Sequence, residues 1–148
     1  MTTYEQTIAA IVKDRKVLSQ PCKPVTDFEA AKPVIKEMRR VARILDKNPK
    51  LRCLGIAANQ VGFDVRIILL KTQRGKFEVF INPELIKGTG HKDSYETCFS
   101  APGCFKTIDR FVTVQVSNNG MPFRTLSGIK AVAFQHELDH LNGKILGG

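Results

Sequence analysis

The chain has 148 residues, of which 43% are hydrophobic and 25% are charged, a balance typical of a globular protein that buries its own core as a single domain over residues 1–148. Its 23 basic and 14 acidic residues give a net charge of +9, which suits work near nucleic acid or the ribosome but also an ordinary solvated surface, because the basic residues are spread along the chain. No apolar run is long enough to cross a membrane, and the first residues lack the pattern of a secretion signal, so we expect no membrane partner and a cytoplasmic location.

The four cysteines (Cys22, Cys53, Cys98 and Cys104) show no paired spacing. In a chain without a secretion signal, we expect reduced thiols, with at most one of them serving as a metal ligand. The pattern therefore excludes the class of small domains that are held together by disulfides.

The first clear element is a helix predicted over residues 30–45. Its apolar residues recur at helical spacing, with basic residues outside the stripe. The stripe consists of Val34, Ile35, Met38, Val41, Ala42 and Leu45. Pro33 suits a first helical turn, and Asn48-Pro49 predicts the loop that follows.

Four strands are predicted in the middle of the chain, over residues 65–70, 77–81, 111–116 and 123–126. The first two are apolar runs that flank a turn signal at Arg74-Gly75. The third alternates apolar and polar residues and meets Asn118-Asn119-Gly120, a strong hairpin signal, before the fourth.

A last helix is predicted over residues 129–142, with Gly143 as the residue that ends it. Apolar residues cover much of its circumference: Ile129, Val132 and Ala133 share a face with two histidines, and Phe134, Leu138 and Leu141 form a neighbouring stripe. Such a helix is expected to lie between strands. The order of elements favours an α+β domain with mostly antiparallel sheets packed around this central C-terminal helix, rather than a regular strand–helix alternation.

The segment Gln135–His140 of this helix contains an H-E-x-x-H pattern. Four residues are a little over one helical turn, so His136 and His140 present their imidazoles on one face. Glu137 lies beside them, near enough to act on a water at a metal without being a ligand itself. The spacing predicts two metal ligands and a proton carrier, although so short a pattern also arises by chance in helices with partly buried histidines.

A catalytic metal site of this kind needs a third protein ligand and one open position. The chain continues as Leu141-Asn142-Gly143, the beginning of a longer known pattern, but Leu146 stands where that pattern requires a third histidine. Too few residues follow to bring a glutamate back on another helix. The third ligand must therefore lie upstream, where the candidates are His91, Cys98, Cys104 and the acidic residues.

Three segments in order carry a resemblance to a known family: Gly55–Gly62 (GIAANQVG), Glu96–Ser100 (ETCFS) and Gln135–His140 (QHELDH). They resemble the signature motifs of peptide deformylases, usually written G-Φ-G-Φ-A-A-x-Q, E-G-C-L-S and Q-H-E-x-D-H. Shorter likenesses at Leu18–Pro21, Pro24-Val25, Ile81–Glu84 and His140–Gly143 extend the resemblance over nearly the whole chain. Three ordered motifs are far more specific than H-E-x-x-H alone.

The resemblance implies that Cys98, His136 and His140 are the ligands of one divalent transition metal. One thiolate and two imidazoles suit Fe²⁺, Zn²⁺, Co²⁺ or Ni²⁺ and do not suit Mg²⁺ or Ca²⁺. The family typically uses Fe²⁺ in the cell, with zinc and nickel as substitutes. The implied reaction is hydrolysis of the N-formyl group from the initiator methionine of a new polypeptide, with release of formate, so the implied partner is an N-formylmethionyl peptide.

The same resemblance implies roles for three catalytic groups. Glu137 is expected to act as general base and then as general acid. The side-chain amide of Gln60 and the backbone N–H of Phe99 are expected to donate hydrogen bonds to the oxyanion that forms on the formyl group.

The substrate is expected to lie against Gly55 and Ile56, because a glycine without a Cβ lets another backbone approach closely. Ile129, Val132 and Ala133 are expected to form an apolar slot for the methionine side chain. The alternative for this stripe is an ordinary place in the core.

Glu96 is a candidate to orient a ligating imidazole, and the alternative is a strand-edge charge paired with a basic residue such as Arg110. Cys53 and Thr97 replace glycines of the first and second motifs. Either is expected to narrow the substrate cleft or to alter a backbone angle that glycine makes easy. Phe99 replaces the usual leucine, which is a mild change for a residue that acts through its backbone.

The sequence ends at Gly147-Gly148, shortly after the metal-binding helix, whereas many bacterial deformylases continue into a further helix that helps docking at the ribosome. This compact form is similar to deformylases encoded by some bacteriophages. The expected location is thus the bacterial cytosol, including that of a phage-infected cell. A ribosome contact would need other basic surface, for which Arg39, Arg40 and Arg43 are candidates, and the oligomeric state stays open.

Three other functions compete with this interpretation. A metalloprotease of broader specificity would share the metal and Glu137, but the short chain and the motif around Gln60 count against it. A non-catalytic receptor for formyl peptides or metal finds support only in Cys53 and Thr97. An RNA-associated protein would suit the charge, but the chain lacks aromatic-and-glycine stacking motifs and has no tryptophan.

Overall fold

The computed structural model describes residues 2–49 and 53–146; the terminal Gly147-Gly148 lie outside this range. The helices in the described part are α1 (Thr3–Ala10), α2 (Arg15–Leu18), α3 (Phe28–Leu45), a 3-10 helix (Ala58–Val61) and α4 (Ile129–Leu141). The strands are β1 (Gly55–Ala57), β2 (Ile67–Gln73), β3 (Lys76–Ile81), β4 (Glu84–Glu96), β5 (Lys106–Ser117) and β6 (Arg124–Ser127). None of these helices is long and apolar enough to span a membrane.

The strands form two three-stranded antiparallel sheets, in the orders β1-β2-β3 and β4-β5-β6. α3 packs on one face of the first sheet, and α4 contacts β1 and β2 as well as β5 and β6. The C-terminal helix is therefore enclosed by both sheets. The expected α+β class, with antiparallel sheets around this helix, is confirmed.

β2 separates two hydrophobic clusters. Ile67 and Leu69 face the cluster beneath α3, while Ile68 and Leu70 face the cluster around α4. Because successive side chains of a strand point to opposite faces, an apolar run without polar interruptions is what a strand buried on both faces requires. This explains why residues 67–70 of the predicted strand 65–70 were recognisable from sequence, although β2 begins two residues later and ends three residues later than predicted.

α3 begins two residues earlier than predicted. Asp27 caps it by accepting hydrogen bonds from the backbone N–H groups of Glu29 and Ala30 at 3.1 and 3.2 Å. Pro33 consequently lies in the second turn, not the first, and the prediction for its position was wrong. The helix tolerates it because Pro33 is on the exposed face, where water satisfies the carbonyl that loses its N–H partner.

The predicted hairpins are present with different lengths. Arg74 and Gly75 connect β2 to β3, with Gly75 at φ 73°, as the turn signal indicated. β5 is longer than the predicted 111–116, and β6 pairs with its end through Thr113–Val116.

β4 escaped the sequence analysis, as did α1, α2 and β1. Its composition is poor for a strand, since it contains Lys87, Gly88, Gly90 and Lys92. Tertiary packing overrides that composition, because the Phe111 ring covers Gly88 so closely that a Cβ there would lie 2.2 Å from it.

The buried Asp46 at the end of α3 ties that helix to the first sheet. Its carboxylate accepts hydrogen bonds from Lys71 Nζ at 2.7 Å and from the Gly75 backbone N–H at 3.0 Å. Burial by itself would raise the pKa of this carboxyl, but the hydrogen bonds from Lys71 and Gly75 lower it overall. The stabilisation is therefore complete above the unfolded-state pKa, near 3.9, and is lost as the pH falls through the folded-state value.

We predict that Asp46→Ala lowers the free energy of unfolding by about 3 kcal/mol at neutral pH, because it leaves the Lys71 ammonium without its partner. Urea denaturation should show this loss shrinking as the pH is lowered below about 4. Glu37→Ala, which removes the exposed Glu37–Arg40 pair, is the matched control and should cost only about 0.5 kcal/mol. An equal loss in both variants would contradict the prediction.

Candidate metal site

Cys98, His136 and His140 form the one cluster of metal-ligand side chains found in the described ranges, with donor atoms within 4.8 Å of one another. The histidines stand one turn apart on α4, with ring centroids 5.1 Å apart. Cys98 reaches them from the segment between β4 and β5, and its Sγ lies 3.2 Å from His140 Nε2. One sulfur and two imidazole nitrogens fit a tetrahedral metal site with one position open.

The other ligand candidates lie elsewhere. His91 is exposed on β4 and its Nδ1 lies 3.1 Å from the Asp109 carboxylate. Cys104 borders the same pocket as Cys98 but is not part of the donor cluster.

Glu96 joins His136 to a buried network of charges. Its Oε1 lies 2.7 Å from His136 Nδ1, and both of its oxygens accept hydrogen bonds from the Arg110 guanidinium at 2.7 and 2.8 Å. Arg110 also donates to Asp139 on α4 at 2.6 Å. Glu96 therefore combines both expected contacts. It pairs with Arg110, and its contact with Nδ1 orients the His136 imidazole so that Nε2 is available for a metal.

The network separates the pKa values of the two histidines. Burial by itself would raise the pKa of Glu96, but Arg110 and His136 lower it to about 2. The pKa of His136 is raised well above its ordinary value by contacts with Cys98 and Glu96 that outweigh burial. Burial, helped by the nearby His136, lowers the pKa of His140 to about 3. The surroundings thus favour the neutral form of His140 and the protonated form of His136.

Glu137 points into the same space and is only 5% exposed. Its Oε1 has no protein hydrogen-bond partner among the described residues, which is the state expected of a carboxylate that acts on a water or a substrate. Burial raises the pKa of Glu137 to about 7, a value suited to proton transfer near neutral pH.

Gly55 makes room for Glu137. A Cβ on Gly55 would lie 2.8 Å from the Leu69 carbonyl oxygen and 3.1 Å from Glu137 Cγ. The glycine at this point of β1 is thus required by the packing of the buried carboxylate, a reason that the sequence did not reveal.

Gln60 is fixed beside Cys98 at both ends of its side-chain amide. Its Oε1 accepts from the Ala57 backbone N–H at 2.9 Å, and its Nε2 donates to Ser100 Oγ at 3.2 Å and to Cys98 Sγ at 3.5 Å. The N–H side of the amide therefore faces the metal ligands. Phe99 borders the pocket while its ring packs against the cluster beneath α3.

An open pocket of about 530 Å³ leads to this cluster. Ile129, Val132 and Ala133 line it, although Ile129 is 68% exposed and lies at the rim. Gly55 lines it too, but the Ile56 side chain is 1% exposed and packs in the core on the other side of β1. A direct side-chain contact between Ile56 and a ligand in this pocket is excluded by that orientation.

The two residues that replace family glycines occupy different environments. Thr97 is exposed and lines the pocket, as expected for a residue that narrows the cleft. Cys53 is fully buried beneath α3, and its Sγ donates to the Gly55 carbonyl at 3.3 Å, so the expectation that it narrows the cleft is wrong.

Gln135 is a residue whose role the sequence reasoning missed. Its side chain donates to the carbonyls of Phe111 and Ala131 and accepts from the Phe111 N–H at 2.9 Å. It thereby fixes α4 against β5 next to His136. A polar residue next to the two apolar stripes of this helix was the available signal.

Comparisons with known proteins agree with this geometry. The family model described as polypeptide deformylase matches residues 8–147. The peptide deformylase of Chromobacterium violaceum is 33% identical over 129 residues, which span 83% of this chain and 74% of that protein. The one of Pseudomonas aeruginosa is 41% identical over 99 residues, which span 62% of this chain and 59% of that protein. A crystal structure of the Plasmodium falciparum peptide deformylase superposes with a TM-score of 0.80 at 30% identity, covering 92% of this chain and 83% of that one.

We predict that Zn²⁺ protects Cys98 of the metal-free protein from iodoacetamide while leaving Cys104 reactive, because only the Cys98 sulfur belongs to the donor cluster. Cys22 and Cys53 should react slowly with or without metal. Both are buried, and desolvation together with Asp64 raises the pKa of Cys22 to about 11, which leaves on the order of 100-fold less thiolate at neutral pH. Mass spectrometry of the alkylated peptides measures all four rates, and equal protection of Cys98 and Cys104 would contradict the assignment.

Proposed function

The chain belongs to the polypeptide deformylase family, whose members are metal-dependent hydrolases that remove the N-formyl group from new polypeptides, and we propose that Cys98, His136 and His140 hold the metal for this reaction. The observation that carries the proposal is the meeting, at the end of one pocket, of this donor cluster with the unpartnered Glu137 Oε1. The enzyme class follows from the family, and the roles of individual residues in the pocket are part of the proposal.

The thiolate and the two imidazoles suit Fe²⁺, Zn²⁺, Co²⁺ and Ni²⁺, and we take Fe²⁺ as the metal used in the cell. A metal bound there would supply Lewis-acid chemistry, which makes water nucleophilic near neutral pH. Gln60 and Glu96 restrict the movement of two metal-ligand side chains, because Gln60 contacts Cys98 and Glu96 contacts His136.

Glu137 accepts a proton from the attacking water as the water oxygen bonds to the formyl carbon. The same carboxyl then gives this proton to the amide nitrogen as the carbon–nitrogen bond breaks, so that formate and a free amine leave. During attack, charge develops on the formyl oxygen. Gln60 Nε2 and the backbone N–H of Phe99 stabilise that charge because they stand beside Cys98 before the reaction begins.

The methionine side chain of the substrate lies against Val132 and Ala133, with Ile129 at the rim. β1 offers the substrate backbone a place beside Gly55, because β1 is an edge strand that pairs only with β2 within its sheet. Ile56 takes part through its backbone alone, since its side chain is in the core.

The surroundings of this enzyme are the bacterial cytosol, where formylated polypeptides are made. A ribosome contact through Arg39, Arg40 and Arg43 stays a prediction that rests on the net charge of +9. All three guanidinium groups already make hydrogen bonds within the protein, to Phe77, Glu37 and Gly75 respectively, so such a contact would share or replace these bonds.

We predict that Glu137→Gln lowers formate release from formyl-Met-Ala-Ser by about 10²- to 10⁴-fold, because the amide keeps the shape of the carboxyl but cannot accept a proton from water and pass it on. The assay uses anaerobically prepared protein with its metal content measured. Lys130→Gln, on the same helix but not lining this pocket, is the control and should keep its activity.

Full activity of metal-loaded Glu137→Gln would overturn the assigned role. A wild-type protein that is filled with metal but inactive would instead favour a formyl-peptide receptor.

We predict that Val132→Phe fills the methionine slot and lowers kcat/KM for formyl-Met-Ala-Ser about 10-fold or more, while formyl-Ala-Ala-Ser is affected less. Initial rates with the two peptides give the selectivity directly. An unchanged ratio would place the slot elsewhere.

A further inference from the structure

Two buried polar atoms on neighbouring residues beside the metal cluster have no protein hydrogen-bond partner among the described residues: Asn59 Oδ1 and His140 Nδ1. Asn59 is 4% exposed and His140 is 2% exposed. A buried polar atom left unpaired costs about 1–3 kcal/mol. Two such atoms next to a functional site therefore require an explanation.

The nitrogen that His140 offers to a metal determines which kind of hydrogen bond its other nitrogen, Nδ1, must make. His140 Nε2 faces the Cys98 sulfur at 3.2 Å, so Nε2 is the nitrogen directed into the donor cluster. A neutral imidazole that offers its Nε2 lone pair carries its proton on Nδ1. The buried Nδ1 is thus a donor that needs an acceptor. For His136, the Glu96 carboxylate fills this role at 2.7 Å, and no charged group in the described part of the chain does so for His140.

Asn59 supplies an acceptor on a side chain that already touches His140. Its Nδ2 donates to the His140 backbone carbonyl at 2.8 Å. This bond fixes which end of the amide is nitrogen, because the reverse orientation would set two oxygens against each other. The remaining Asn59 Oδ1 is therefore an acceptor with no donor, held in the same buried region as the Nδ1–H.

The position of Asn59 in the chain is also fixed by its secondary structure. It belongs to the 3-10 helix Ala58–Val61, which packs against α4, and it immediately precedes Gln60. One short helix would then hold both the oxyanion donor and the residue that orients a ligand.

We infer that Asn59 is a positioning residue for the metal centre: one bridging water carries the hydrogen bond from the His140 Nδ1–H to its Oδ1, and so fixes the tautomer and ring orientation in which Nε2 binds metal. The inference rests on the proposed metal centre at Cys98, His136 and His140. It gives the two histidines different partners, a carboxylate for His136 and a neutral amide for His140.

The test is Zn²⁺ affinity, measured by competition with a chelator, for wild-type protein, Asn59→Leu and Asn59→Asp. Asn59→Leu removes donor and acceptor at nearly constant volume and should weaken Zn²⁺ binding about 10- to 100-fold, the usual effect of losing a group that orients a ligand. Asn59→Asp keeps an acceptor but loses the donor to the His140 carbonyl, so it should recover most of the affinity without recovering thermal stability.

The alternative is that Asn59 only caps the end of α4. Arg66→Met is the matched control, because Arg66 caps the same helix end through the Leu141 carbonyl at 3.0 Å and the Asn142 side chain at 2.8 Å. Arg66→Met should lower thermal stability and leave Zn²⁺ affinity unchanged. Equal affinity losses in Asn59→Leu and Arg66→Met, or none in Asn59→Leu, would overturn the inference.

Proton NMR of the zinc form adds a readout that capping does not affect. The His140 Nδ1–H should give a slowly exchanging resonance in the wild-type protein and in Arg66→Met, and that resonance should be lost in Asn59→Leu. Failure of the wild-type protein to bind Zn²⁺ through Cys98, His136 and His140 would defeat the proposed function itself. Normal wild-type binding with an unchanged Asn59→Leu would defeat only the role of Asn59.

Discussion

The enclosure of α4 by both sheets is the constraint on which the rest of the structure depends. This helix carries Gln135, Glu137 and His140 in buried positions, and polar groups removed from water are costly unless other protein groups satisfy them. The enclosing sheets therefore determine which contacts each of these side chains makes. Gln135 binds the backbone of β5, whereas Glu137 Oε1 and His140 Nδ1 have no protein partner among the described residues. Burial is thus what makes the site both rigid and selective in its contacts.

Electrostatics follow from the same enclosure. Arg110 is buried between Glu96 and Asp139, and such a triad survives in the interior only because every charge has hydrogen-bonded partners. The arrangement holds Glu96 ionised beside His136. Glu137, which follows His136 on α4, has its pKa raised by burial. Two carboxyls near the same histidine thus have pKa values shifted in opposite directions, which suits the different roles proposed for them.

An element could be predicted from sequence when its pattern is set by residues close to it in the chain. The apolar stripe of α3, the buried run of β2 and the Arg74-Gly75 turn were recognised because their patterns are set by neighbours in sequence. β4 was missed because Gly88 belongs in a strand only when the Phe111 ring lies over it. The same limit applies to a residue that replaces a family glycine. Cys53 lies behind β1 and not in the cleft, and this position depends on α3 packing against the first sheet.

The sequence by itself determined the family and the elements of the site: two histidines one helical turn apart, an adjacent glutamate, and three ordered motifs whose resemblance predicts Cys98 as the third ligand. Periodicity and residue type suffice for this because they act within a turn or a motif. Only the tertiary structure decided which nitrogen of each histidine is available, why Gly55 must lack a side chain and which residues complete the surroundings of the ligands. Those outcomes depend on contacts between segments far apart in sequence, such as Asn59 with His140, and on the loss of water that shifts each pKa. Neither is encoded in any local pattern.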